Sequence, residues 1–171
     1  MRKAWITEAA RAVLIEAAKR SALYETGGNL IGVLRDGDVW IVIAVEVEDP
    51  SRGRSRFVIP EGVTPAVVEI ARQIDIRFGY VGDWHSHSAD LPASPTDRRT
   101  LAKSARRGRK DIQPNVLIVV RADANGWSVE APGRRGDRPR GNRATPHRRI
   151  AARRIWDDVL TVTGMAIAVT A

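Results

Sequence analysis

The sequence predicts an α/β fold of the α+β type, a mixed central β-sheet flanked by helices. Segments with the one-sided apolar spacing of helices alternate with short β-branched runs, yet without the regular spacing of successive βαβ units. Neither a G-x-G-x-x-G nor a G-x-x-x-x-G-K-[ST] stretch occurs, so a doubly wound nucleotide-binding fold fits poorly. The 171 residues suit one domain, and 43% hydrophobic against 28% charged residues suits a packed globular chain. No apolar run reaches the roughly 18 residues of a membrane span, and the amphipathic start lacks a signal-peptide core, so the expectation is a cytoplasmic protein without membrane contact.

Taken in order, Ile6, Ala10, Val13, Leu14 and Ala17 place one apolar stripe on a helix over 6–21. Gly27 and Gly28 break the pattern before a strand at 30–34. The turn Asp36-Gly37-Asp38 then leads into a β-branched strand at 39–47, giving a hairpin whose second strand is expected to be central. Residues 50–56 read as an exposed basic loop and 57–59 as a short strand. Thr64-Pro65 has the form of an N-cap and first helical residue, with Val67, Ile70, Ala71, Ile74 and Phe78 as the buried stripe and Gly79 as the stop.

A strand over 80–87 runs into the polar loop 88–93, and Ser94-Pro95-Thr96-Asp97 opens a helix to about Ala105. Strands follow at 116–120 and, after the Asn125-Gly126 turn, at 127–131. The domain expected to carry the chemistry is therefore 1–131. An Arg/Gly/Pro-rich loop covers 132–144, and 145–171 supplies a C-terminal helix and a segment compatible with a terminal strand, packing on the same domain.

With no cysteine, disulfides, thiolate catalysis and cysteine-containing zinc sites are excluded. A metal must be held by histidine and carboxylate, and two of the three histidines are His85 and His87. Alternate side chains of a strand share one face, which places these two about 6.5–7 Å apart at Cα and lets both imidazoles reach one ion. A catalytic zinc site takes three protein ligands and leaves a fourth position open, so a third ligand is required. Asp97, at the start of the next helix, is the foremost candidate; Asp83 on the same strand face, Asp90 in the loop and His147 are alternatives. Ser94 and Asp97 also have a purely structural reading as a capping box.

The stretch Gly82-Asp83-Trp84-His85-Ser86-His87, followed by Ser94-Pro95-Thr96-Asp97, resembles the JAMM signature of the MPN+ or JAB-type metallo-isopeptidases. Upstream, Glu25-Thr26-Gly27-Gly28-Asn29-Leu30-Ile31-Gly32 is similar to that family's E-T-G-G-x-L-x-G. The resemblance covers about Glu25 to Val120, in the prokaryotic branch. It implies a cytidine-deaminase-like domain with one Zn2+ per chain on His85, His87 and Asp97, Glu25 as general base and Ser94 as donor to the oxyanion. The implied activity is hydrolysis of amide or isopeptide bonds at the C-terminal tail of a ubiquitin-like or sulfur-carrier protein. Two departures stand out: the spacer from His87 to Ser94 is one residue shorter than is common, and Ser88 follows the second histidine where proline is usual.

The net charge is +8 and unevenly spread: residues 98–110 and 134–154 are dense in arginine and nearly free of acids. Such surfaces neutralise phosphates or steer an acidic partner toward a cleft. The alternative function is accordingly a catalytically silent MPN-type module that binds nucleic acid or an acidic protein through these patches.

Overall fold

The computed structural model describes residues 4–107, 116–123 and 126–130. The expected loop at 132–144, the helix and strand within 145–171, His147, Lys110 and the basic stretch 134–154 lie outside the described residues. Six strands form one sheet: β1 (Ala4–Ile6), β2 (Gly27–Arg35), β3 (Asp38–Val47), β4 (Gly79–Ser86), β5 (Val116–Asp123) and β6 (Gly126–Glu130), in the spatial order β1-β3-β2-β4-β5-β6. Pairing is parallel for β1–β3 and β4–β5 and antiparallel elsewhere, so the sheet is mixed as the sequence predicts. The helices are α1 (Glu8–Arg20), α2 (Val63–Ile74) and α3 (Pro95–Arg107). Among the described residues no helix is long and apolar enough to cross a membrane.

Helix α1 covers one face of the sheet, burying Ala10, Leu14, Ala17 and Ala18 against Ile6, Leu30, Ile41, Trp84 and Ile118. Helix α2 covers the other, burying Val63, Val67 and Ala71 against Ile31, Val45 and Val47. Thr7 caps α1, accepting from the Ala10 amide at 3.1 Å while its hydroxyl donates to the Val42 carbonyl at 3.0 Å. The uninterrupted apolar run of β3 follows from burial on both faces together with a bulge. Ile31 pairs with Ile43 but Gly32 with Ile41, so Val42 is an extra residue and the side-chain alternation changes phase there. Val39 and Ile41 face α1 before the bulge, and Val45 and Val47 face α2 after it.

A second bulge re-aims β4. Leu30 pairs with Gly82 and Ile31 with Tyr80, so Val81 is the extra residue, and the adjoining Gly82 takes φ 155°. A Cβ there would lie 1.9 Å from the Val116 carbonyl oxygen. After the bulge Trp84 points to the α1 face, and Asp83 and His85 point to the α2 face.

Several expectations are corrected. Gly27 and Gly28 belong to β2 instead of preceding it: a Cβ on Gly28 would lie 1.9 Å from the Val45 carbonyl oxygen, and one on Gly27 would meet the Phe57 ring. That Val45 carbonyl accepts from the Trp84 indole at 3.0 Å, which ties β4 to β3 across β2. The hairpin's second strand is an interior strand, paired with β2 on one side and, on the other, with β1, a three-residue strand too short to show periodicity. Residues 57–59 form no strand; the Val58 amide donates to Asp49 Oδ2 at 2.9 Å in place of a ladder partner. Helix α2 begins one residue before Thr64, after Gly62 at φ 84°, and Thr64 Oγ1 accepts from Asn29 instead of capping the helix. It closes at Ile74, with Asp75 as the C-cap, so Phe78 packs from the connecting loop and Gly79 opens β4.

Candidate metal centre

The antiparallel pairing of β2 with β4 sets one wall of the site. Gly27 pairs with His85, and one step on the Ser86 amide donates to the Thr26 carbonyl at 2.7 Å while the Thr26 amide donates to Ser86 Oγ at 3.1 Å. Glu25, one residue before Thr26, lies close enough to His85, His87 and Asp97 for their charges to act on its carboxyl. His87 lies just past β4, its amide donating to the Val120 carbonyl at 2.8 Å, so β5 extends the strand end that carries both histidines.

The third side chain arrives from α3. Ser94 and Asp97 form a reciprocal cap: the Ser94 amide donates to Asp97 Oδ2 at 2.6 Å and the Asp97 amide to Ser94 Oγ at 3.2 Å. The same carboxylate faces both imidazoles, with His85 Nε2 3.4 Å from Oδ1 and His87 Nε2 3.5 Å from Oδ2. The two Nε2 atoms stand 3.1 Å apart. Capping and ligation are thus compatible roles of one residue. The ligand atoms of His85, His87 and Asp97 all lie within 4.8 Å of one another, and among the described residues this is the one such group.

These separations fit a metal better than a hydrogen-bonded triad. The contacts of 3.4 and 3.5 Å are long for charge-assisted hydrogen bonds. Ligand atoms about 2.0–2.1 Å from a tetrahedral centre stand about 3.3 Å from each other, which is the scale seen here. Tautomer agrees. His87 Nδ1 lies 2.7 Å from the Leu91 carbonyl oxygen, which accepts its proton and leaves the Nε2 lone pair directed at the cluster. Two nitrogens and one carboxylate with an open position are donors suited to zinc.

Electrostatics follow from the same contacts. Burial opposes the charge on Asp97, but the nearby His85 and His87 rings and the hydrogen bond from the Ser94 amide outweigh it and hold the carboxyl far below the usual range. The neighbouring Asp97 carboxylate raises the pKa of His87, against the opposing effect of burial and with help from the Leu91 carbonyl and Glu25. Glu25, half-buried, is pushed upward by burial, partly offset by the positive charge available on His85 and His87.

The other candidates take different roles. Asp83 accepts from Tyr80 Oη at 2.7 Å and from Asn29 Nδ2 at 3.1 Å, and its carboxyl is raised chiefly by burial. Asp90 pairs with Arg121 at 2.8 Å, anchoring the loop that supplies the Leu91 carbonyl. Neither joins the cluster of ligand atoms. Arg98, Arg99 and Lys103 are exposed on α3. Leu91 was not a sequence candidate, because its contribution is a backbone oxygen that no side-chain pattern signals.

Comparison with known proteins agrees with this architecture. The family model described as prokaryotic homologs of the JAB domain matches residues 7–131. A solution structure of a protein from Desulfitobacterium hafniense is similar in fold, with a TM-score of 0.58 at 15% identity, covering 75% of this chain and 82% of that one. No curated protein matches the sequence.

Proposed function

Since the chain belongs to the family of prokaryotic homologs of the JAB domain, we propose that it is a zinc-dependent hydrolase of amide or isopeptide bonds at the C-terminal tail of a ubiquitin-like or sulfur-carrier protein. The observation that carries this reading is the convergence of His85, His87 and Asp97 on one point, with Glu25, just ahead of β2, near enough for their charges to act on it. His85 Nε2, His87 Nε2 and an Asp97 oxygen would hold one zinc ion. Bound there, zinc would bring the pKa of a water toward ~7 and polarise the carbonyl of the scissile amide.

The chain's own residues supply the rest. Glu25 accepts the proton of the attacking water and passes it to the leaving amine; its burial favours a carboxylate that holds a proton more readily than an exposed glutamate. Ser94 Oγ accepts from the Asp97 amide, which leaves its own proton free to donate to the carbonyl oxygen as that oxygen gains charge. Asp97 would supply one ligand oxygen, and the Ser94 amide donating to Oδ2 fixes the carboxylate plane.

The test is a panel of ubiquitin-like and sulfur-carrier C-terminal fusions incubated with the zinc-loaded chain. Cleavage that stops with chelator and with Glu25→Ala, while Glu25→Ala keeps its zinc, supports the reading. Equal loss of zinc and turnover in that variant would make Glu25 structural. Absence of zinc and of cleavage, with binding that weakens steeply as salt rises, would instead favour a silent module with basic patches.

A further inference from the structure

Between β3 and α2 the chain folds into a loop over residues 49–58 that contacts three places around the centre. The Gly53 carbonyl accepts from the Glu25 amide at 2.9 Å. The Arg54 carbonyl accepts from Ser88 Oγ at 2.8 Å, one residue past His87. Arg52 Nη1 donates to Ser21 Oγ at 3.2 Å, at the C-cap of α1. The loop therefore spans from the end of α1, over the residue near the ligand cluster, to the loop that follows His87.

One buried side chain closes it. Asp49 Oδ1 accepts from the Ser51 amide at 2.8 Å and from Ser51 Oγ at 2.7 Å, and Oδ2 accepts from the Val58 amide at 2.9 Å. The carboxylate thus joins both ends of the loop, and Asp49 is only 6% exposed although its neighbours Ser51 and Arg52 are exposed. The Ser51 hydrogen bonds outweigh burial and hold its carboxyl below the usual range. Inside the loop the Arg52 amide returns to the Asp49 carbonyl at 3.1 Å and the Gly53 amide to the Arg56 carbonyl at 2.8 Å, which turns the Gly53 carbonyl toward Glu25.

Glu25 needs such a tether. It precedes β2, so the sheet ladder does not hold its backbone, and the hydrogen bond from its amide to the Gly53 carbonyl replaces that ladder.

We infer that Asp49 is a positioning residue: by closing the loop over 49–58 it holds the Gly53 carbonyl on the Glu25 amide and so fixes Glu25 relative to His85, His87 and Asp97. The inference rests on the hydrolase reading for its catalytic consequence, whereas the tether itself is a property of the fold. A carboxylate released from this tether moves by an ångström or more, a displacement that lowers turnover by as much as ~100-fold without touching the metal ligands.

The experiment uses the full zinc-loaded chain with Asp49→Ala and the isosteric Asp49→Asn. Amide exchange at Glu25 is followed by NMR, trypsin cleavage at Arg52, Arg54 and Arg56 by mass spectrometry, and hydrolysis with a ubiquitin-like protein carrying a fluorogenic C-terminal amide. The expected result is a cooperative melt, one zinc per chain and KM near the wild-type value. Glu25 exchange and trypsin cleavage should each be faster, and kcat should be roughly 10- to 100-fold lower. Unchanged Glu25 exchange in both variants would overturn the inference, as would loss of the cooperative melt in both, which would make Asp49 a folding residue. Should the zinc-loaded wild type cleave nothing, the hydrolase reading fails, and exchange at Glu25 still decides whether Asp49 holds it.

Discussion

His87 Nδ1 lies 2.7 Å from the carbonyl oxygen of Leu91, four residues later in the chain. The contact makes the loop after β4 a part of the candidate metal site through its backbone alone. The loop is one residue shorter than is common in the family it resembles, yet its path still delivers this carbonyl. The Asp90–Arg121 pair, 2.8 Å apart, fastens the loop to β5 beside it.

Because a main-chain oxygen makes the contact, Leu91→Ala should leave zinc affinity unchanged. Deletion of Asp90 shifts the carbonyl and should weaken zinc binding by roughly 10- to 100-fold. Competition with a chromophoric chelator measures both.

In the metal-free protein the pairing of His87 with Asp97 ties stability to pH. The folded His87 pKa is raised, first by Asp97, above the ordinary value of 6.5. Protonated His87 therefore stabilises the fold, fully so below pH 6.5, and that contribution is lost as pH rises through the raised value. Asp97, held low by the same contacts, adds stability above the ordinary carboxyl value of 3.8 that is lost as pH falls below it. Thermal melts of the chelated protein should show Tm falling on the alkaline side of His87 titration. Zinc affinity should rise over the same interval, because the ion displaces that proton. A chelated protein whose Tm is flat from pH 6 to 8.5 contradicts the assignment.

Ser94 has two separable roles. Removing its hydroxyl with Ser94→Ala takes away the acceptor of the Asp97 amide, and loss of a helix cap typically costs about 1 kcal/mol. If the same hydroxyl also donates to the oxyanion, kcat should drop by about 100- to 1000-fold, far more than the cap accounts for. Denaturant melts and steady-state kinetics on the one variant separate the two.

Gly28 is required by its neighbour and not by its own φ. Gly28→Ala would place a Cβ 1.9 Å from the Val45 carbonyl oxygen and disturb the acceptor of the Trp84 indole, immediately before His85. A stability loss of about 1–3 kcal/mol is expected from such overpacking, read as a lower urea midpoint.

The spacing of His85 and His87 was legible because strand geometry converts a two-residue interval into a shared face, and Ser94 to Asp97 was legible as a helix start. The mixed sheet followed from periodicity, and so did the boundaries of most elements to within a few residues. What escaped reading depends on residues distant in sequence. Gly27 and Gly28 look like strand breakers until the Phe57 ring and the Val45 carbonyl are seen beside them. The bulges at Val42 and Val81 change which face the following residues occupy, and no local pattern announces them. Thr64 resembles a cap, yet a buried Asn29 claims its hydroxyl. Asp49 reads as an ordinary loop acid, because its three donors are identified only once the loop has closed.

The measurement that bears most directly on the centre is the zinc content of the purified chain beside that of His85→Ala, His87→Ala and Asp97→Ala, each checked for a cooperative melt. One zinc per wild-type chain and a large loss of affinity in every folded variant is the predicted result. A wild-type chain that takes up no zinc, or an Asp97→Ala variant that binds it as tightly as wild type, would contradict the three-ligand site.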